Sequence, residues 1–500
     1  MQAAGRPGRA ATLALVAVVA LGAALRFATL GDRSFWLDES FTVKLVDNSF
    51  GGMLDVWRSN ESNPPLYPVL AWAWARAFGQ GEFALRSLSA LMGTATVPLA
   101  YVVTARLTTR RAGLVAALVV AVSALDVWFS QDARPYALVV LTGGLSFWAF
   151  LRALDEPSRG RLAAWAGASV LAVLSHYFAI YLVVGEAVWL LGAHPRRRWP
   201  TIAAGAVPAA TLLALLPIAL NQRSANLGIP FLGMTSTVSR AAQIPAQYVV
   251  GFQPPAQVLV SIAAFLAIPV AAWLLVRRTD PRERHGALVA ATVGGVALLG
   301  PIVAALLPGL DYVYTRYTSS AFVPLVAAVS IGLAASRARL LGAAGLAWLC
   351  GFSLGVDVVT ADHSKFDHED WRAAAHALAP VAGRRLVVVT PPLGERVLPL
   401  YLPGARRLDG APGPASEIDV IGLPPAIRRI GHGPVPPRPP SPSSPPGFRL
   451  VERREAATFT LIRYRAARPL ALSRARLDAL ALGKVEPPSL VGVPARRAAK

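Results

Sequence analysis

Cysteine is nearly absent: Cys350 is the one thiol in 500 residues. A single cysteine builds no disulfide framework and no Cys-based metal site, and its place in an apolar run says little about compartment. Charge is scarce as well. Asp, Glu, Lys and Arg make up 15% of the chain, against about 25% in an ordinary soluble domain. Acidic residues are the scarcer sign, 28 against 49 Lys and Arg. There is no Walker A sequence, no GxGxxG opening a soluble nucleotide-binding module and no His/Cys cluster of metal-ligand spacing. Energy or substrate therefore comes from something other than a nucleotide bound on such a module, and a lipid-carried donor fits that absence. No internal repeat of fixed period is evident.

What is abundant is apolar sequence, 54% of the chain. Runs of about 17 to 25 residues recur from Ala11 to about Val356, long enough to cross a bilayer core of roughly 30 Å. The expected fold is an α-helical polytopic membrane protein with spans near 11–30, 84–105, 112–130, 135–153, 162–177, 178–194, 200–220, 256–276, 286–307, 318–335 and 338–356. The stretch 64–78 is short, carries Pro68 and Arg76, and reads as an interfacial helix with Trp72 and Trp74 in the aromatic belt. Arginines then collect in the short loops on one side, among them Arg110, Arg111, Arg196, Arg197, Arg277 and Arg278. By the positive-inside rule that side is cytoplasmic. The surplus of 21 positive charges is thus a topology signal, and no nucleic-acid partner is expected. The first run exceeds a usual signal-peptide core and more spans come after it, so it reads as an uncleaved span with a cytoplasmic N-terminus.

From Asp357 the composition changes. RRLVVVT (384–390) and EIDVIGL (417–423) read as buried strands with a helical turn near 395–402 between them, and FRLVERREA and TFTLIRYRA alternate like an antiparallel pair. The proline-rich stretch 434–446 cannot be regular structure. The expected domains are a membrane module at 1–356, a small extracytoplasmic α/β domain at 357–467 and a disordered basic tail at 468–500.

The candidate chemistry gathers at the outer ends of the spans. Asp38 and Glu39 come just after the first span, among Phe35, Trp36, Leu37 and Phe41. A carboxylate in so greasy a setting is costly unless it serves a purpose, and a general base needs such a group. Asn63 opens the tripeptide Asn63-Pro64-Pro65. Asp132 and Arg134 share a very short outer loop, as an ion pair or as ligands to a polar substrate. His176 and Tyr177 stand at a span end, where capping competes with contact to phosphate or sugar. Arg316 and Tyr317 precede the tenth span, where an arginine snorkels to headgroups or grips a phosphate bidentately. Glu186 is the exception, an acid inside a span.

These motifs, WLDES, NPPLYP, EFALRSLSALMGTATVPLAYVVTARL, FSQDARPYAL and SHYF in that order, resemble the GT-C glycosyltransferases. The resemblance covers roughly residues 11–335 and is nearest to the family 39-like bacterial enzymes related to protein O-mannosyltransferases and the lipid A aminoarabinose transferase. It implies a GT-C fold in the plasma (inner) membrane. It also implies transfer of a sugar from a polyprenyl-phosphate-linked donor to a lipid, glycan or protein acceptor on the extracytoplasmic face. On the same ground Asp38 is the expected catalytic base, supported by Glu39, and Asp132, Arg134, His176, Tyr177, Arg316 and Tyr317 contact substrate. Some GT-C enzymes use a divalent metal, which the sequence leaves open. One departure stands out: aminoarabinose transferases carry Lys and protein mannosyltransferases His where this chain has Asn63. The competing readings are a transporter or flippase of a lipid-linked sugar, for which Glu186 speaks, and a membrane scaffold whose outer domain binds a cell-wall polymer.

Overall fold

The computed structural model describes residues 8–224, 235–252, 257–362, 369–378, 385–392, 394–408, 412–422, 442–482 and 488–493. The chain is mostly helical, with a small sheet domain near its C-terminus. It divides into two units, one of Met1–Leu30 and Thr42–Ala361, the other of Gly31–Phe41 and Asp362–Lys500. The loop after the first span thus groups with the C-terminal residues.

Among the described residues of the first unit, eight helices are long and apolar enough to cross a membrane. The count is nine if Arg110–Ala121 and Ala124–Ser130, bent 58° against each other, form one broken span. Two more of the expected spans are helices of lesser length, Arg159–Ser175 with 17 residues and Tyr177–Ala193. The stretch expected at the interface is the 13-residue helix Leu66–Phe78.

The break at Val122 and Ser123 turns the helix Ala124–Ser130 and so sets the direction of the loop at 131–135. Ser123 restarts the helix by accepting from Asp126 N. The carbonyls at the break are met by a side chain from the first span. Arg26, fully buried, donates from Nη2 to Val120 O and from Nη1 to Ala121 O, both at 2.9 Å. It also bonds Asp126 Oδ2 at 2.6 Å, Ser130 Oγ at 3.1 Å and Gly22 O at 2.9 Å. All five guanidinium N–H groups are used, as an apolar medium without water demands. Gly93 makes room: a Cβ there would lie 1.9 Å from Ser130 Oγ and 2.9 Å from Arg26 Nε.

In the second unit six strands form one sheet: β1 (Arg385–Thr390), β2 (Arg406–Arg407), β3 (Ala415–Gly422), β4 (Arg449–Glu455), β5 (Thr460–Leu470) and β6 (Ser489–Val493). Their order is β2-β6-β1-β3-β5-β4. β1 and β3 are parallel and the other pairs antiparallel. Leu386, Val388, Ile418, Val420, Ile462, Tyr464 and Leu490 form the core on one face. The helical turn expected near 395–402 is the helix Gly394–Tyr401. The expectation of a disordered tail from residue 468 is corrected. Residues to Leu470 complete β5, Arg474–Asp478 is a short helix, and Ser489–Val493 pairs with both β1 and β2. The apolar SLVGV is itself a buried-strand pattern, masked in the sequence by the basic residues around it. The proline-rich stretch lies largely outside the described residues.

Candidate active site

In the first unit the polar residues converge on Glu61. The helix Phe50–Asn60, capped by Ser49, ends where Glu61 turns extended, and Pro64 and Pro65 forbid its continuation. Glu61 is 3% exposed. Its carboxylate takes Arg134 in a two-pronged pair, Nη1 to Oε2 at 2.8 Å and Nη2 to Oε1 at 2.9 Å. Oε1 also accepts from Asn63 Nδ2 at 2.8 Å and Ser62 N at 2.9 Å. Planar fork against planar carboxylate is the strongest of the charge-assisted geometries. Asn63 is therefore oriented by Glu61.

The cluster continues away from the pair. Trp57 Nε1 donates to Asn63 O at 2.8 Å, Gln222 Nε2 to Trp57 O at 2.9 Å, and Tyr177 Oη to Gln222 Oε1 at 3.0 Å. Asp132 is 2% exposed. The loop it shares with Arg134 is tied down by Arg134 N to Asp132 O at 2.7 Å, Thr42 Oγ1 to Ala133 O at 2.7 Å, and Gln131 Nε2 to Leu25 O and Thr29 Oγ1. The expected alternatives for this loop are a pair between Asp132 and Arg134 or contact with a polar substrate; the carboxylate that the structure sets against Arg134 in a two-pronged pair is that of Glu61.

His176 accepts from Phe178 N at its Nδ1, 3.3 Å, and so caps the turn Tyr177–Ala179. It remains within electrostatic reach of the Arg316 and Arg134 guanidiniums. Arg316 donates to Tyr136 Oη at 2.9 Å, with its Cζ 5.4 Å from the Tyr136 ring centroid and 4.8 Å from that of Tyr314. Tyr317 stacks on Phe178, centroids 5.2 Å apart, and lies 5.6 Å from His176. An aromatic wall thus holds one guanidinium while a carboxylate holds the other. Asn63, Arg134, His176, Tyr177, Arg316 and Tyr317 come together here. Sequence reasoning missed Glu61, Gln222 and Tyr136. Glu61 was visible as a scarce acid two residues before the Asn-Pro-Pro turn.

Glu186 is fully buried. Its Oε2 accepts from Ser146 Oγ and Trp165 Nε1, each at 2.7 Å, bonds that tie three helices together.

In the second unit Asp38 is half-buried and Glu39 has no exposed surface. Glu39 opens the helix Glu39–Val46 and accepts from Trp36 N at 3.3 Å. That is a capping bond, and it separates the two acids: Glu39 is built into the turn, while Asp38 sits at its more exposed side. Among the described residues no group of three or more His, Cys, Asp or Glu side chains is arranged to hold a metal ion.

Fold and cluster together define a polytopic membrane protein with a buried, doubly cationic polar site walled by aromatic rings. Residues 62–221 match the family model of the dolichyl-phosphate-mannose-protein mannosyltransferases, and the likeness to GT-C type membrane glycosyltransferases drawn from the motifs is borne out. That segment begins one residue after Glu61 and takes in Asn63, Asp132, Arg134, His176 and Tyr177. Similar solved structures include the archaeal oligosaccharyltransferase AglB from Archaeoglobus fulgidus, in complex with an inhibitory peptide and a dolichol-phosphate. It is 10% identical over 79% of this chain and 63% of that one, with a TM-score of 0.48. ArnT from Cupriavidus metallidurans bound to undecaprenyl phosphate is 15% identical over 90% and 98%, TM-score 0.42. The S. cerevisiae protein O-mannosyltransferase Pmt1-Pmt2 complex bound to the sugar donor is 19% identical over 43% and 33%, TM-score 0.33. The chain spans 57% to 63% of the length of the archaeal oligosaccharyltransferases. No curated protein matches it.

Proposed function

We propose that the protein is a glycosyltransferase of the plasma (inner) membrane that moves a sugar from a polyprenyl-phosphate carrier to an acceptor on the extracytoplasmic face. Its N-terminus is cytoplasmic and its sheet domain extracytoplasmic, as the arginine asymmetry of the loops supports. The observation that carries the reading is the coincidence of the mannosyltransferase-matched segment with the Glu61–Arg134–Asn63 cluster. Asp38 takes the proton of the acceptor hydroxyl or amine. The acceptor atom bonds to the anomeric carbon as the carbon–oxygen bond to phosphate breaks. The pair of electrons leaves with the polyprenyl phosphate, whose charge needs cations. Arg316 is assigned to that phosphate, with the Tyr136 phenol and the Tyr136 and Tyr314 rings holding its guanidinium in place beside His176. Arg134, matched by Glu61, orients Asn63 and the Asp132 loop. His176, Tyr177 and Tyr317 contribute sugar or phosphate contacts.

The test is transfer by purified protein in lipid vesicles from radiolabelled polyprenyl-phosphate mannose to a membrane extract. Asp38→Asn is expected to insert normally and lose about 100-fold or more in turnover, the range for a missing general base. Wild-type turnover in that variant would remove Asp38 from the base role. Intact lipid-linked sugars that cross the vesicle membrane would favour a flippase instead.

A further inference from the structure

The second unit contains residues 31–41 together with the C-terminal domain, and the bonds inside it give that domain a task. Ser34, 3% exposed, donates its hydroxyl to Glu369 O at 3.1 Å and accepts from Trp371 N at 3.0 Å. It is thereby spliced into the start of the helix Trp371–Ala377. Phe35 is buried, and its N–H donates to Tyr401 Oη at 2.6 Å. Backbone groups buried outside helix and sheet must be satisfied by something; Tyr401 does this for Phe35 N–H, and the Ser34 side chain does it for Glu369 O and Trp371 N–H. Beyond Asp38 the same domain takes hold again, with Arg396 Cζ 4.8 Å from the ring centroid of Phe41. Between these two anchorages the turn is stiffened from within. Ser40 Oγ donates to Leu37 O at 2.6 Å, Ser40 N to Trp36 O at 3.1 Å, and Phe41 N to Asp38 O at 3.3 Å.

We infer that the C-terminal domain is the clamp that holds the Asp38 turn, gripping it at Ser34 and Phe35 on one side and at Phe41 on the other. Tyr401, Ser34 and Arg396 are then positioning residues, which act on chemistry through Asp38; in this respect the inference rests on the glycosyltransferase reading. A base displaced by about 1 Å can lose on the order of 100-fold in rate. A turn outside any helix or sheet ladder therefore gains from a folded domain that fixes both its ends.

The test uses the full-length protein in lipid nanodiscs, with Tyr401→Phe and Ser34→Ala. Tyr401→Phe keeps the ring and removes the acceptor for Phe35 N–H. Hydrogen exchange of residues 31–41 is expected to rise about tenfold, the worth of one buried hydrogen bond, while β1, β3 and β5 keep their protection. With radiolabelled polyprenyl-phosphate mannose, kcat is expected to fall severalfold at an unchanged KM. Unchanged exchange at 31–41 in both variants overturns the clamp. So does exchange that rises throughout the sheet, which would mark plain destabilisation, and so does exchange that rises with kcat intact. If wild type transfers no lipid-linked sugar, the enzymatic reading fails, while the exchange pattern still decides whether the clamp exists.

Discussion

Two buried charge networks in this protein are built on different arithmetic. In the helical unit each guanidinium meets one carboxylate head-on, Arg26 with Asp126 and Arg134 with Glu61, and both partners of each pair are almost fully buried. In the sheet domain the carboxylates are shared. Glu417 accepts from Arg385 and Arg465, and Asp419 pairs with Arg385 and Arg463. Strand register makes the sharing unavoidable, since Glu417 faces Arg385 and Arg465 across the ladder and Asp419 faces Arg463. Alternation puts the two acids, two residues apart on β3, on the same side of the sheet. Arg465 reaches solvent, at 47% side-chain exposure. The contrast comes from the medium. Where no water can reach, a buried charge needs an opposite charge against it; beside water, a surplus of arginine is tolerated at the rim.

The strongest way to break that contrast is to unbalance Glu61. Arg134→Met leaves a buried carboxylate without its cation, a change that typically costs about 3–5 kcal/mol, and it loosens the carboxylate that orients Asn63. Thermal unfolding in detergent should show the loss, with transfer abolished. The double variant Glu61→Leu/Arg134→Met should recover most of the stability and none of the transfer, because the cluster is then neutral but no longer holds Asn63. An Arg134→Met protein as stable as wild type would mean the pair is screened by water and the one-to-one matching is not a requirement of the site.

Arg26 sharpens the comparison at a lower cost. Arg26→Lys keeps the charge against Asp126 but offers three donors in place of five. Some of the carbonyl and hydroxyl acceptors at the broken span lose their bond, at about 1–3 kcal/mol for each group left buried and unmet. Faster hydrogen exchange confined to Ala124–Ser130 and the loop after it is the expected sign. Equal protection in both proteins would show that charge alone, and not the donor count, holds the break.

Much of the fold was legible because the bilayer writes it locally. Apolar runs mark the spans, arginines mark the short loops, short buried runs mark β1 and β3, and alternation marks β4 and β5. The site was legible by residue but not by pairing. Asn63, Arg134, His176 and Arg316 could be nominated from their loops, yet Glu61 and Arg134 are 73 residues apart and Arg26 and Asp126 are 100 apart. No local pattern announces a partner at that distance. The grouping of 31–41 with the C-terminal domain escaped for the same reason: it is carried by contacts such as those of the Ser34 hydroxyl, the Tyr401 phenol and the Arg396 guanidinium, far apart in sequence. β6 escaped because its short run, SLVGV, sits between prolines in an otherwise basic stretch.

The smallest expected effect is also the one peculiar to shared carboxylates. Burial pushes the Asp419 carboxyl up to about 6; Arg385 and Arg463 oppose the rise, and the like charge of Glu417 adds to it. Glu417 goes the other way: burial alone would raise it, but its bonds to Arg385 and Arg465 hold it below the usual range. An acid raised in the folded state binds its proton more tightly there than in the unfolded chain. Its contribution is therefore complete below the ordinary value of 3.8 and is lost as pH climbs through about 6. The Glu417 contribution is present above the ordinary value of 4.5 and fades only as pH falls below it. Between pH 4 and 6 the sheet should accordingly lose about 1–3 kcal/mol of local stability as pH rises, seen as falling protection of the β3 amides after correction for intrinsic exchange. Asp419→Asn should flatten that slope whatever its effect on stability at neutral pH. A wild-type profile that is flat over this range, or one that rises, would show that the arginines outweigh burial and that Asp419 is matched as fully as the acids of the helical unit.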